Sequence, residues 1–212
     1  MTRTTAYRTS TRQSHWTNYS RFLAHYRWSV RALSARLLEL LLAHCLLPLE
    51  SFRAEFMGKQ WGLRAEFLNY EKRPFTMQES LAFVLLHDMY VRASGTGEHL
   101  ELVSAVWKAF DDFGTDRARW LPYWSQTAAR PEVEGTYCSA YVRPGKGALL
   151  VVSNLTGSPT ALRLKLDRAP LGLSGGVVRA WEARSGEAFP VTRDTLRLRL
   201  GSMQCALVRL TQ

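Results

Sequence analysis

Cysteine is scarce and scattered in this chain. Its 212 residues hold three, Cys45, Cys138 and Cys205, with no C-x-x-C pair. That spacing signals neither a disulfide framework nor a zinc site, so no metal and no other cofactor is expected. Long apolar runs are also missing. The longest, Leu37 to Leu49, is broken by Glu39, His44 and Pro48, and it falls short of the ~20 residues that a bilayer crossing demands. It lies too far from the first residue to serve as the core of a signal peptide. Neither a membrane span nor an export signal is inferred, and the localisation stays open. A Walker loop, a dinucleotide glycine fingerprint, an H-E-x-x-H string and an EF-hand loop are all absent. Their absence leaves phosphate-loop, metalloprotease and calcium-module functions without support.

Acidic residues are few at the start. Between Met1 and Pro48 only Glu39 is acidic, against seven Arg, and residues 1–50 contain no Lys, Asp or Gly. The remainder has ordinary proportions. Hydrophobic residues make up 46% of the whole chain and charged residues 22%, enough to build a packed core. The net charge of +10 raises the question of a polyanionic partner. No basic run such as KKRK and no nucleic-acid module accompanies it. A nucleic-acid partner is therefore not expected. Seven Trp and eight Tyr supply core area, and they can equally form flat platforms for sugar rings.

Three stretches differ in pattern. Residues 1–50 form an atypical Arg-rich segment, without periodicity to about Ser20 and with helical spacing from Tyr19 to Cys45. Residues 51–130 are mainly helical in reading. Thr76-Met77-Gln78-Glu79 is a capping box ahead of the all-apolar run Leu81 to Leu86, which must be fully buried. A second helix is expected from Glu98 to Phe113, with Leu100, Val103, Trp107 and Phe110 as its stripe and Gly114 as its C-terminal cap. An aromatic connector, Trp120 to Trp124, and a linker, Ala128 to Gly135, follow.

From Thr136 the period becomes two. Strands are expected at Tyr137–Arg143, Ala148–Asn154, Ala161–Asp167, Val177–Ala183, Glu187–Val191, Thr195–Leu200 and Gln204–Leu210, separated by glycine- and proline-rich turns. In Leu162/Leu164/Leu166 against Arg163/Lys165, and Leu196/Leu198/Leu200 against Arg197/Arg199, one face is apolar and the other cationic. That is the pattern of a sheet with one wet side, which accounts for much of the Arg surplus. The fold class is α+β: a mainly helical N-terminal part, then an antiparallel β-sandwich over residues 136–212.

Chemistry has few anchors. Most carboxylates sit in amphipathic or loop settings, and neighbours such as Asp111-Asp112 diverge by ~100° on a helix. The pair His87-Asp88 stands out because it ends a buried run. It is either a buried polar cap bonded to backbone, or one of the two orients at the rim of a sugar cleft. Within Gly58-Lys59-Gln60-Trp61-Gly62, Gln60 can bond a sugar hydroxyl and Trp61 can stack a ring; the alternative is a packing loop. No residue is assigned as catalytic.

Several motifs recur in a telling order: Met57-Gly58-Lys59-Gln60-Trp61-Gly62, Leu85-Leu86-His87-Asp88 with Val91-Arg92, Trp107 to Phe113, Leu121-Pro122-Tyr123-Trp124, Leu149 to Leu155, and Leu171-Gly172-Leu173. From about Phe52 onward the chain resembles the C-terminal part of glycoside-hydrolase-like proteins related to family 123. The resemblance implies the last elements of a (β/α)8 barrel over residues 51–130, a following sandwich, and carbohydrate as partner. Such enzymes carry an Asp-Glu pair on an earlier strand, and no Asp-Glu dipeptide occurs here. A barrel also needs ~200 residues or more. The expectation is a truncated glycoside-hydrolase-like chain that is not catalytically competent alone. The alternative is a non-catalytic carbohydrate-binding or scaffold protein.

Overall fold

The computed structural model of the chain describes residues 66–69, 76–93 and 97–212. The chain divides into two units, 1–43 and 44–212, and every described residue belongs to the second. The Arg-rich segment 1–50 and the Gly58–Gly62 loop with Gln60 and Trp61 lie outside the described residues.

Among the described residues, four elements come first. Strand β1 (Glu66–Asn69) pairs in parallel with β2 (Tyr90–Ala93), and helix α1 (Met77–Val84) lies between them in sequence. A parallel pair cannot be closed by a hairpin, and here a helix makes the crossover. The capping box forms as its spacing requires. Thr76 N–H donates to Glu79 Oε2 at 2.7 Å, and Glu79 N–H donates back to Thr76 Oγ1 at 3.2 Å. A 3-10 turn, Leu85–His87, continues the helix, and Asp88 stops it in the left-handed region at φ 57° and ψ 36°. Aspartate tolerates that conformation better than most residues.

Helix α2 (Glu98–Phe113) has the bounds read from the sequence and ends on Gly114 at φ 77°, whose N–H donates to Phe110 O at 2.8 Å. Its buried stripe differs from the expected one. Val103, Val106, Phe110 and Phe113 are buried, whereas Leu100 is 48% and Trp107 39% exposed. The buried set keeps i, i+3, i+7 spacing but is rotated toward Phe113. Apolar periodicity alone admits either line, because Leu100 and Trp107 flank the same helix face.

The remaining strands form two sheets. Six strands run in the order β3-β5-β6-β12-β8-β9: β3 (Arg119–Leu121), β5 (Thr136–Arg143), β6 (Gly147–Asn154), β12 (Gln204–Thr211), β8 (Arg179–Glu182) and β9 (Ala188–Phe189). Four run in the order β10-β11-β7-β4: β10 (Val191–Thr192), β11 (Thr195–Leu200), β7 (Thr160–Leu166) and β4 (Ala129–Pro131). All pairings in both sheets are antiparallel. The stretch Glu187–Val191 divides into two short strands around Pro190, whose missing N–H cannot serve a ladder. The aromatic connector and the linker each contribute a short edge strand, β3 and β4, that three residues of sequence are too few to announce.

Both sheets bury apolar residues, but not in the same way. In the four-stranded sheet Leu162, Leu164, Leu166, Leu196, Leu198 and Leu200 face inward, and the intervening Arg and Lys are exposed. Here the expected wet side is present. In the six-stranded sheet both sides are covered. Cys138, Ala140, Val142, Leu150, Val152, Ala206 and Val208 meet the other sheet, while Tyr141, Leu149, Val151, Cys205 and Leu207 meet the buried faces of α1 and α2. A strand covered twice loses its polar alternation, which is why Ala148 to Val152 reads as an unbroken apolar run. The result is three layers: helices, six strands, four strands.

Candidate functional site

His87 and Asp88 sit where the helical layer meets the six-stranded sheet, and both are buried, at 0% and 2% exposure. His87 Nδ1 lies 2.8 Å from Phe83 O, four residues back. A carbonyl can only accept, so the proton is assigned to Nδ1. Nε2 faces Tyr123 Oη at 3.4 Å. The imidazole is packed by Trp124, stacked at 6.0 Å between centroids, and by Tyr123, edge-on at 5.5 Å. Asp88 points elsewhere: its Oδ1 accepts from Tyr141 Oη at 2.7 Å. The two side chains diverge, as adjacent positions must. One holds the aromatic connector and the other the sheet.

Further bonds fix the same corner. Ser139 Oγ, on β5, donates to Leu86 O at 2.8 Å and accepts from Tyr123 N–H at 3.0 Å. Gln126 is buried and spans the connector: Nε2 donates to Ala129 O and Cys138 O, at 2.6 and 2.8 Å, and Oε1 accepts from Ala129 N–H at 2.9 Å. Trp120, Tyr123, Trp124 and Tyr137 form a chain of edge-on rings with centroid spacings of 5.0–5.4 Å. All four are half-buried. Edge-to-face contacts of this kind favour a rigid array. Sequence reading singled out the connector but not Ser139, Gln126 or Tyr141, which look like ordinary strand and loop residues until their partners are known.

A second feature lies on the sandwich. An open groove of about 620 Å³ on the sandwich is lined by Arg163, Arg197, Arg199, Glu187, Phe189 and Pro190 together with the inward-facing Leu162, Leu198 and Leu200. Glu182 also borders it but is fully engaged. Its two oxygens accept from Arg184 Nε at 2.7 Å, Leu207 N–H at 3.1 Å, Arg184 N–H at 2.6 Å and Ser185 N–H at 3.0 Å. A carboxylate accepting these four N–H bonds anchors the β8–β9 hairpin. Glu187 is exposed.

Other chemistry-bearing groups are occupied. The string Gly172-Leu173-Ser174-Gly175-Gly176 fits G-x-S-x-G, but no helix follows it and Ser174 Oγ donates to Gln212 Oε1 at 3.2 Å. It lacks the strand-turn-helix setting that exposes a nucleophile. Cys138 and Cys205 are buried free thiols. Burial pushes the Cys138 thiol far up and that of Cys205 up to about 11, the latter despite the opposing Arg184 charge. Thiols so placed are inert. Among the described residues no cluster of three His, Cys, Asp or Glu side chains is placed to hold a metal ion, and no helix is long and apolar enough to cross a membrane.

No family model matches the sequence, and neither does any curated protein. Solved structures do align with the fold. An α-amylase from Geobacillus thermoleovorans aligns at TM-score 0.48 and 9% identity, over 64% of this chain and 33% of its own. A GH27 β-L-arabinopyranosidase from Geobacillus stearothermophilus aligns at TM-score 0.45 and 14% identity, over 65% and 31%. An Anoxybacillus α-amylase aligns at TM-score 0.42 and 12% identity, over 59% and 25%. The chain thus spans a third or less of the length of each of these proteins.

Proposed function

We propose that this chain is the C-terminal part of a glycoside-hydrolase-like protein related to family 123, that it engages carbohydrate, and that it does not hydrolyse it unaided. The observation that carries the reading is the succession β1-α1-β2-α2, parallel strands alternating with helices, leading directly into a two-sheet sandwich. Strand-helix alternation with parallel pairing is the repeating unit of a (β/α)8 barrel. In that frame β1 to α2 are the barrel's last elements, and the sandwich, which β3 and β4 join as edge strands, is its accessory module.

The same frame assigns roles. Barrel enzymes build their sites at the C-terminal ends of the strands, and the opposite ends serve stability. His87 and Asp88 immediately precede β2, on the stabilising side. They act as a brace between the helical layer, the aromatic connector and the sandwich. Gln60 and Trp61 are left as the cleft candidates, one to bond a hydroxyl and one to stack a ring. Two features support the reading that it does not hydrolyse unaided: no Asp-Glu dipeptide occurs in the sequence, and the buried carboxylates described are engaged. Of the two buried ones described, Asp88 accepts from Tyr141 and Glu182 from four N–H donors.

A glycan array probed with the full chain, beside release of p-nitrophenol from an N-acetylhexosaminide, tests both halves. Glycan binding that Trp61→Ala weakens, without release, is the expected result. Turnover above background overturns the incompetence. Silence across an array of neutral glycans overturns the Gln60–Trp61 cleft.

A further inference from the structure

The outer face of the four-stranded sheet carries a block of positive charge. Arg163, Lys165, Arg197 and Arg199 are all exposed, and so is Arg130 on the neighbouring β4. The register sets Arg163 directly opposite Arg197, and Lys165 opposite Arg130. Side chains so paired lie ~5 Å apart at Cβ, and like charges there destabilise a sheet. Successive outward residues on one strand are ~7 Å apart. None of Arg163, Lys165, Arg197 or Arg199 forms an ion pair among the described residues, although exposed Glu132 and Glu187 are nearby. A merely solvated face has no need of one sign. A sheet that keeps two like-charged cross-strand pairs breaks a local rule of stability, and such breaches gather at functional surfaces.

We propose that this face binds a carboxylated polysaccharide, a polyuronate chain, with Arg163, Arg197 and Arg199 meeting successive carboxylates. Arginine suits the task because its planar fork matches a carboxylate with two parallel hydrogen bonds. A polyuronate presents one carboxylate per sugar along an extended strand, which complements a periodic row of cations. These three arginines help to line an open groove whose lining also includes Phe189 and Pro190, apolar surface of the kind on which the faces of sugar rings pack. Nucleic acid is the rival polyanion. Sheet surfaces that take single strands stack bases on exposed aromatic residues, and the outward positions of β7 and β11 are Ala161, Arg163, Lys165, Thr195, Arg197 and Arg199, with no aromatic among them. The proposal does not involve Gln60 or Trp61. It rests on the carbohydrate reading only for the choice of a sugar polymer.

Affinity electrophoresis of the full chain through polygalacturonate tests this. Retardation is expected. R163Q/R197Q/R199Q together should weaken it by about tenfold or more, given three exposed charge pairs, while the thermal midpoint does not fall. Fully methyl-esterified polygalacturonate, which lacks the charge, should not retard the chain. R117Q/K146Q/R179Q, an equal charge loss at exposed sites elsewhere, should leave retardation within about twofold. Three results overturn the proposal: equal loss in this control variant, equal retardation by the esterified polymer, or tighter binding of a single-stranded DNA oligonucleotide at the same salt. Failure here with neutral-glycan binding intact leaves the cleft reading standing. Polyuronate binding with a silent neutral array overturns the cleft alone.

Discussion

The hydroxyl of Tyr141 donates a 2.7 Å hydrogen bond to Oδ1 of Asp88, across 53 positions of sequence and from β5 to the end of the first helix. Both residues are buried. Tyr141→Phe keeps the ring against Phe110 but deprives a buried carboxylate of a donor. The expected cost is about 1.5–3 kcal/mol, read as a lower urea midpoint with unchanged slope. Asp88→Asn, which retains an acceptor and tolerates the left-handed backbone, should cost less than Asp88→Ala.

Glycine is required at one turn more than at its neighbour. In the β5–β6 turn, Gly145 and Gly147 both have positive φ, at 75° and 84°. A Cβ on Gly145 meets open space, whereas one on Gly147 collides with the carbonyl oxygen of Leu210 on the adjacent β12. Gly145→Ala should cost only the left-handed penalty of about 1 kcal/mol. Gly147→Ala should cost clearly more, because backbone must move. Thermal unfolding of the two variants side by side decides it.

Alkaline pH should destabilise the fold. Burial raises the folded-state pKa of Cys205 from 9.0 to about 11, and raises that of Cys138 as well. When the unfolded chain ionises first, it binds fewer protons than the native state, and stability falls as pH rises. The loss should begin near pH 9 and continue to about 11. Cys138→Ala with Cys205→Ala lowers stability at neutral pH through lost packing, yet should flatten this slope. Denaturant midpoints measured across pH 8–11 give the comparison.

Relief of the like-charge pair on the four-stranded sheet should stabilise it. Arg163→Thr leaves a β-branched residue opposite Arg197 and should gain about 0.2–1 kcal/mol at low salt. The gain should shrink as salt screens the pair. Calorimetry at low and high salt measures both.

Legibility in the sequence followed the range of the forces involved. Thr76, Glu79 and Gly114 act within one turn, so the cap and stop of the helices could be read from spacing. Leu162 to Leu166 and Leu196 to Leu200 alternate against water, so their strands and wet face were visible too. The second cover on β5, β6 and β12 was not, because alternation vanishes when both sides are dry. His87 and Asp88 were noticed for ending an apolar run, but their direction depends on Tyr123 and Tyr141, tens of residues away. The edge strands β3 and β4 exist only through the ladders that neighbouring strands offer them. Ser139, Gln126 and Tyr141 gave no local signal at all.

The doubly covered sheet bears on how the protein can be dissected. Cutting the gene at the onset of alternation, near Thr136, would strip away α1, α2 and the edge strands β3 and β4, leaving Tyr141, Leu149, Val151 and Leu207 facing solvent. That bare wall is a large contiguous apolar patch, a recipe for self-association. The shortest soluble piece must therefore begin upstream of Thr76: in this molecule the unit of solubility is longer than the unit of topology.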